Sequence, residues 1–171
     1  PLSAGPNVAY DLCTRRIDDR DLEGLDLSAW RVAFNGAEPV SAVTLARFSE
    51  RFAPYGFRPE AMAPVYGLAE AALGVAFPVL GRVPHVDAIQ REPFMRSGRA
   101  VPSDKHDTTA LHFVACGQPL PGYQIRIVDA TGHEVGERAG SKGFRAGGLD
   151  AAGEDAGLFE VTWVGFTELE P

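Results

Sequence analysis

Residues 31–65 constrain the fold more than any other stretch. Arg31-Val32-Ala33-Phe34 reads as a short buried strand ending at Asn35-Gly36. Ser41 stands where a helix cap belongs, and Leu45, Phe48 and Phe52 follow at i, i+3 and i+7. This is the clearest helical pattern in the chain, and its aromatic residues are expected in the core. Proline stops it between Pro54 and Pro59, since the residue before a proline is driven out of helical geometry. Ala61-Met62-Ala63-Pro64-Val65 reads as the next strand. Strand, helix, strand in that order favours a parallel pair with a right-handed crossover. The predicted class is therefore α/β, a mainly parallel sheet with flanking helices. In such sheets ligands gather beyond the carboxyl ends of the strands. The loops Asn35–Pro39 and Tyr66–Glu70 are then expected to open on one rim.

The second of these loops carries chemistry. Tyr66-Gly67-Leu68-Ala69-Glu70 puts a ring, a glycine and a carboxylate within five residues. A ring at a strand end can lie against a planar ligand, and a glycine lets the backbone approach it. Amides opening the following turn favour an anion, and Glu70 offers oxygen to a hard cation beside it. The plainer alternative is a Tyr-Gly corner with a solvated glutamate. On five residues alone that alternative leads, because short patterns recur by chance.

Composition removes several classes. Of 171 residues 45% are hydrophobic, enough for a packed core. Sixteen basic against 23 acidic residues give a net charge of −7, which argues against a nucleic-acid backbone as partner. His85, His106, His112 and His133 lack zinc-ligand spacing. Cys13 and Cys116 form no CxxC pair, which suggests a reducing, cytoplasmic location. No apolar run is long enough for a membrane span. The chain starts at Pro1 rather than Met, so a cut end is expected.

Elsewhere the pattern is weaker. Pro1 to Pro6 reads as loop, with Asn7 as N-cap of a helix facing inward through Val8, Leu12 and Ile17. Leu73–Phe77 reads as a strand. Gly81–Thr109 is a polar excursion with Pro84, Pro93 and Pro102 and a short helix near Val86–Arg91. A long irregular stretch of this kind is usually functional or mobile. Leu111–Ala115 returns to strand character, Gly117–Gly122 is a turn-rich link, and Tyr123–Asp129 with a partner from Val135 forms a short β-rich segment. Ala139 to Gly157 holds six glycines and five alanines with no sustained periodicity.

Four motifs stand in an order that resembles the adenylate-forming superfamily, and fatty-acyl-AMP ligases in particular. They are Pro6-Asn7-Val8-Ala9-Tyr10-Asp11-Leu12-Cys13, Phe34-Asn35-Gly36-Ala37-Glu38-Pro39-Val40, Tyr66-Gly67-Leu68-Ala69-Glu70-Ala71 and Cys116-Gly117-Gln118-Pro119-Leu120-Pro121-Gly122. The resemblance covers roughly 1–138 and implies a fragment of that fold's large N-terminal domain. It implies that Gly36, Ala37 and Glu38 border the adenine of ATP and that Tyr66 stacks on it. Gly67, Leu68 and Ala69 belong to the same nucleotide site, with Ala69 or its amide by the α-phosphate. Glu70 is implied to hold Mg2+, and Asn7 and Tyr10 stand where the acyl pocket wall begins. The implied reaction joins a fatty acid to AMP, releases pyrophosphate and passes the acyl group to an acyl carrier protein, or to coenzyme A in another branch. A non-catalytic nucleotide-binding remnant is a further alternative.

The excursion at 81–109 falls where fatty-acyl-AMP ligases carry an insertion. The family's phosphate loop, its Thr-Gly-Asp triplet and its catalytic lysine are missing from the sequence, so this piece is expected to be inactive alone. The tail, 139–171, is expected to be frame-shifted or disordered.

Overall fold

The computed structural model describes residues 1–69, 73–97, 100–104, 106–121, 123 and 125. Its centre is a three-stranded parallel sheet built from β1 (Leu2–Pro6), β2 (Val32–Gly36) and β3 (Met62–Pro64), in the order β1-β2-β3. The register runs Leu2↔Val32 to Pro6↔Gly36 on one side of β2, and Ala33↔Met62 to Asn35↔Pro64 on the other. The parallel strand–helix–strand reading of residues 31–65 is therefore what the chain forms.

Between β2 and β3 lies α2 (Ala42–Phe52). Ser41 caps it, its side chain accepting from the Thr44 amide at 3.3 Å. Leu45, Phe48 and Phe52 are buried in one cluster with Ala33, Met62, Phe57 and Tyr10. Phe48 is the hub. Tyr10 and Phe57 meet it edge-on, with centroids at 5.1 and 5.0 Å, and Phe52 lies tilted at 4.5 Å. Burial of each such side chain contributes about 1.5–3 kcal/mol, so this helix face holds the sheet in place.

Residues 1–6 do not form the expected loop. They form β1, an edge strand of small residues without β-branching, which is why no strand pattern shows. Pro1 and Pro6 bracket it, where a missing N–H costs no ladder bond. The helix α1 (Asn7–Arg16) follows directly, and Pro6 rather than Asn7 occupies its N-cap. Its inward face is also not the expected one. Tyr10 is buried, with Cys13 and Ile17 packed beside it, whereas Val8 and Leu12 are exposed. Arg15 and Arg16 in the last turn suit the negative end of the helix.

The expected strand Leu73–Phe77 is reduced to β4 (Ala76–Phe77). It pairs antiparallel with β7 (Gln118–Pro119), which lies inside the segment read as a turn-rich link. Phe77 meets Phe34 of β2 edge-on at 5.7 Å, so this ladder covers the sheet face opposite Ala33. The excursion is also more regular than expected. Val86–Ile89 is a strand, β5, and the helix comes after it as α3 (Arg91–Ser97). β5 pairs antiparallel with β6 (Leu111–Val114), from Val86↔Val114 to Ile89↔Leu111. Val86 and Ile89 suit a pleated ladder with β6 better than an isolated helical turn, and Pro93 sits in the first turn of α3, where its absent N–H is harmless. Val114 carries this ladder into the main core. Tyr123–Asp129 lies largely, and the tail 139–171 wholly, outside the described residues.

Candidate functional site

Parallel pairing puts the carboxyl ends of β1, β2 and β3 on one edge. Pro6 stands opposite Gly36, and Asn35 opposite Pro64. The chain leaves β2 through Gly36-Ala37-Glu38 and leaves β3 through Val65-Tyr66-Gly67. The two exits touch. A Cβ on Gly36 would lie 2.7 Å from Val65 Cγ2 and 3.0 Å from the Val65 carbonyl oxygen, so only a glycine lets them approach this closely. The ladder continues one step beyond β3, with the Val65 amide donating to the Asn35 carbonyl at 2.8 Å.

Ala37 has φ +67, in the left-handed region that a non-glycine residue enters at a cost of about 1–2 kcal/mol. Ala37 and Glu38 are exposed on the rim. The Glu38 carboxylate accepts from the Val8 amide in the first turn of α1.

Tyr66 is half-buried, and its backbone closes the second loop. Its amide donates to Ala76 at 3.0 Å, and its carbonyl accepts from both Val75 and Ala76, at 3.0 and 2.9 Å. Inside that closure the Leu73 amide donates to the Leu68 carbonyl at 3.0 Å. Gly67 is the tightest point, since a Cβ there would sit 1.5 Å from the Leu73 carbonyl oxygen. Leu68 is half-buried and Ala69 exposed. Glu70, the expected magnesium ligand, lies outside the described residues. Among the described residues no three His, Cys, Asp or Glu side chains gather in a way that could hold a metal ion.

The fourth motif, Cys116–Gly122, is given no place at a site by its pattern, yet it belongs here. Through β7 it backs the Tyr66 loop, and the Leu120 amide donates to the Val75 carbonyl at 2.9 Å. Burial raises the pKa of the Tyr66 phenol above its usual value, and neighbouring Cys116 adds to this. The ring therefore stays neutral at physiological pH. Burial also pushes the Cys116 thiol up to about 11, so it is an inert packing group rather than a nucleophile.

Asn7 and Tyr10 are beside the rim, engaged by the protein itself. Asn7 Oδ1 accepts from the Ser41 amide at 3.1 Å, and its Nδ2 donates to Thr44 Oγ1 at 3.4 Å. The Tyr10 hydroxyl donates to the Phe34 carbonyl at 2.7 Å, and burial raises its pKa. Sequence separations of 24 to 37 residues hid both sets of bonds.

Residues 3–143 match the AMP-binding enzyme family. Over 128 residues the chain is 41% identical to the medium-chain-fatty-acid–[acyl-carrier-protein] ligase JamA of Moorena producens, covering 74% of this chain and 22% of that protein. It is 39% identical over 128 residues to the long-chain-fatty-acid–AMP ligase FadD26 of Mycobacterium tuberculosis, covering 75% of this chain and 22% of the relative. Thus it spans about a fifth of the length of these curated relatives. Among solved structures it resembles a fatty acyl-adenylate ligase from L. pneumophila in complex with acyl adenylate and pyrophosphate. There the TM-score is 0.69 with 40% identity, covering 75% of this chain and 22% of that one.

Proposed function

The chain belongs to the AMP-binding enzyme family and has part of the adenylate-forming fold, and from that premise we propose that its rim is the adenylate-gripping part of a fatty-acid-activating ligase. In this reading a fatty-acid carboxylate oxygen attacks the α-phosphorus of ATP. A new P–O bond forms, the bond between the α-phosphorus and the bridging oxygen breaks, and pyrophosphate leaves. A carrier-protein thiol then attacks the acyl carbon, a thioester forms, the acyl–phosphate C–O bond breaks and AMP leaves with the thiol proton released. The relatives named as carrier-protein and AMP ligases support that substrate class and acceptor.

The chain's own contribution is positional. Tyr66 gives a neutral, partly desolvated ring as a flat wall for adenine. Gly36, Ala37 and Glu38 border the base by backbone, and Gly67, Leu68 and Ala69 bring amides toward the α-phosphate. Magnesium, held by Glu70, would neutralise phosphate charge when bound. Asn7 and Tyr10 mark the side from which the acyl chain enters. The observation that carries the reading is the contact of Gly36 with Val65, which makes two separate motifs one surface.

The 171-residue chain lacks the family's phosphate loop and catalytic lysine in its sequence. It is therefore expected to bind an acyl-adenylate without making one. Calorimetry with a non-hydrolysable acyl-adenylate analogue should show saturable binding, and fatty-acid-dependent pyrophosphate exchange should stay at background. Exchange above background would overturn the inactivity. In a longer protein containing this chain, acylation of coenzyme A in preference to a carrier protein would overturn the acceptor.

A further inference from the structure

The residue type at position 38 is explained by a helix rather than by a ligand. α1 has Pro6 at its N-cap and so no side-chain cap, and its first turn has no acidic residue. Its free amides and positive end are therefore unanswered locally. Glu38 answers them from another element, since its carboxylate accepts from the Val8 amide. The exchange is mutual. Asn7, the first residue of α1, accepts from the Ser41 amide at 3.1 Å and donates to Thr44 Oγ1 at 3.4 Å, at the start of α2. Each helix start is thus held by a residue belonging to the other's approach. Both bonds fasten the chain just after Ala37, at Glu38 and Ser41, and the φ of +67 at Ala37 needs outside support to persist. A carboxylate turned instead toward a bound nucleotide would leave the Val8 amide open.

We propose that Glu38 and Asn7 form a reciprocal cap which locks the rim loop 36–39 in its binding shape, so that both are positioning residues for the adenylate site and not ligand contacts. The ligand side of this inference rests on the proposed function, while the cap itself does not. It gives position 38 a requirement for a hydrogen-bond acceptor, with charge secondary, and makes that requirement depend on Asn7.

The test uses the 171-residue chain as wild type, Glu38→Ala, Glu38→Gln, Asn7→Ala and the Asn7→Ala/Glu38→Ala double variant. Affinity for a non-hydrolysable acyl-adenylate analogue and amide hydrogen exchange are both measured. Glu38→Ala should weaken the analogue about fivefold, the size of one capping bond. Glu38→Gln should recover most of that loss. The double variant should fall well short of the product of the single losses, because the two bonds share one loop. Exchange at Val8 and Ala37 should quicken in both alanine variants, while β2 and β3 amides keep their protection. Glu38→Gln as damaging as Glu38→Ala, or fully multiplicative losses, would overturn the proposal. If the wild type binds no analogue, the nucleotide reading fails and exchange alone decides the cap. Unchanged exchange at Val8 and Ala37 would then refute it.

Discussion

The parallel sheet β1-β2-β3 and the antiparallel ladder β5-β6 both join the main core, but they are held in different ways. The sheet is fastened by a helix face, with Leu45, Phe48 and Phe52 buried against Ala33 and Met62. The ladder is fastened mostly by backbone pairing and by local polar bonds. Val114 and Ile89 are its buried apolar residues, and the Phe94–Phe113 pair at 5.3 Å is half-exposed. Around it Asp107 accepts from Ser103 Oγ at 2.6 Å and from the Thr109 amide at 2.8 Å, and the Gln90 amide donates to Val101 at 2.8 Å. The difference teaches where the candidate site can be rigid. A rim that must hold two loops within van der Waals contact stands on the helix-backed sheet, while the ladder can vary without moving it.

The first way to break this comparison is to remove its hub. Phe48→Ala should cost about 3–5 kcal/mol in urea denaturation, as for a fully buried ring. A loss under about 1 kcal/mol would mean the helix face does not carry the sheet. Next in size, Gly67→Ala forces a Cβ to 1.5 Å from a backbone oxygen. The loop must open, with a stability loss of about 1–3 kcal/mol and an analogue affinity lower by about tenfold or more. Calorimetry and melting of the same sample check both. Smaller still, Phe113→Ala should cost about 1–2 kcal/mol, since the ring is only half-buried. Analogue affinity should not change, because the Phe113 ring packs on Phe94 within the ladder. A parallel loss of affinity would erase the distinction between the two regions.

The smallest effect is a pH dependence confined to the ladder. Hydrogen bonds from Ser103 and Thr109 lower the Asp107 pKa from 3.8 to about 2. A carboxyl depressed in the folded state stabilises it fully above the unfolded value and loses that contribution as pH falls through the folded one. Protection of the Thr109 amide should therefore decline between about pH 4 and pH 2, and Asp107→Asn should flatten that decline. Protection in β2 should not follow this titration.

The two regions also differ in how far the sequence revealed them. The helix period of Leu45, Phe48 and Phe52 and the cap at Ser41 are local signals, and they led directly to β2, α2 and β3. That the chain leaves β2 and β3 on one edge of the sheet followed from topology. Strand β1 was not legible, because Leu2-Ser3-Ala4-Gly5-Pro6 has no strand pattern of its own and becomes a strand only by pairing with β2. In the ladder, Leu111–Ala115 was legible as a strand and forms β6, whereas β5 was not legible, for the same reason as β1. Val86-Asp87-Ala88-Ile89 is ambiguous between helix and strand at four residues, and its partner lies more than twenty residues away. At the rim, the Tyr66-Gly67 corner was readable from residue types. The long-range bonds of Asn7 and Glu38 were not, since both residues also suit ordinary local roles.

The central claim is that loops 36–38 and 66–69 act as one adenylate-binding surface. An isotope-labelled chain titrated with a non-hydrolysable acyl-adenylate analogue, followed by amide resonances, tests it most directly. The amides of Gly36, Ala37 and Glu38 should shift together with those of Tyr66, Gly67 and Ala69, along one saturation curve with a single dissociation constant. Shifts confined to one loop, or gathered on β5 and β6 instead, would contradict it.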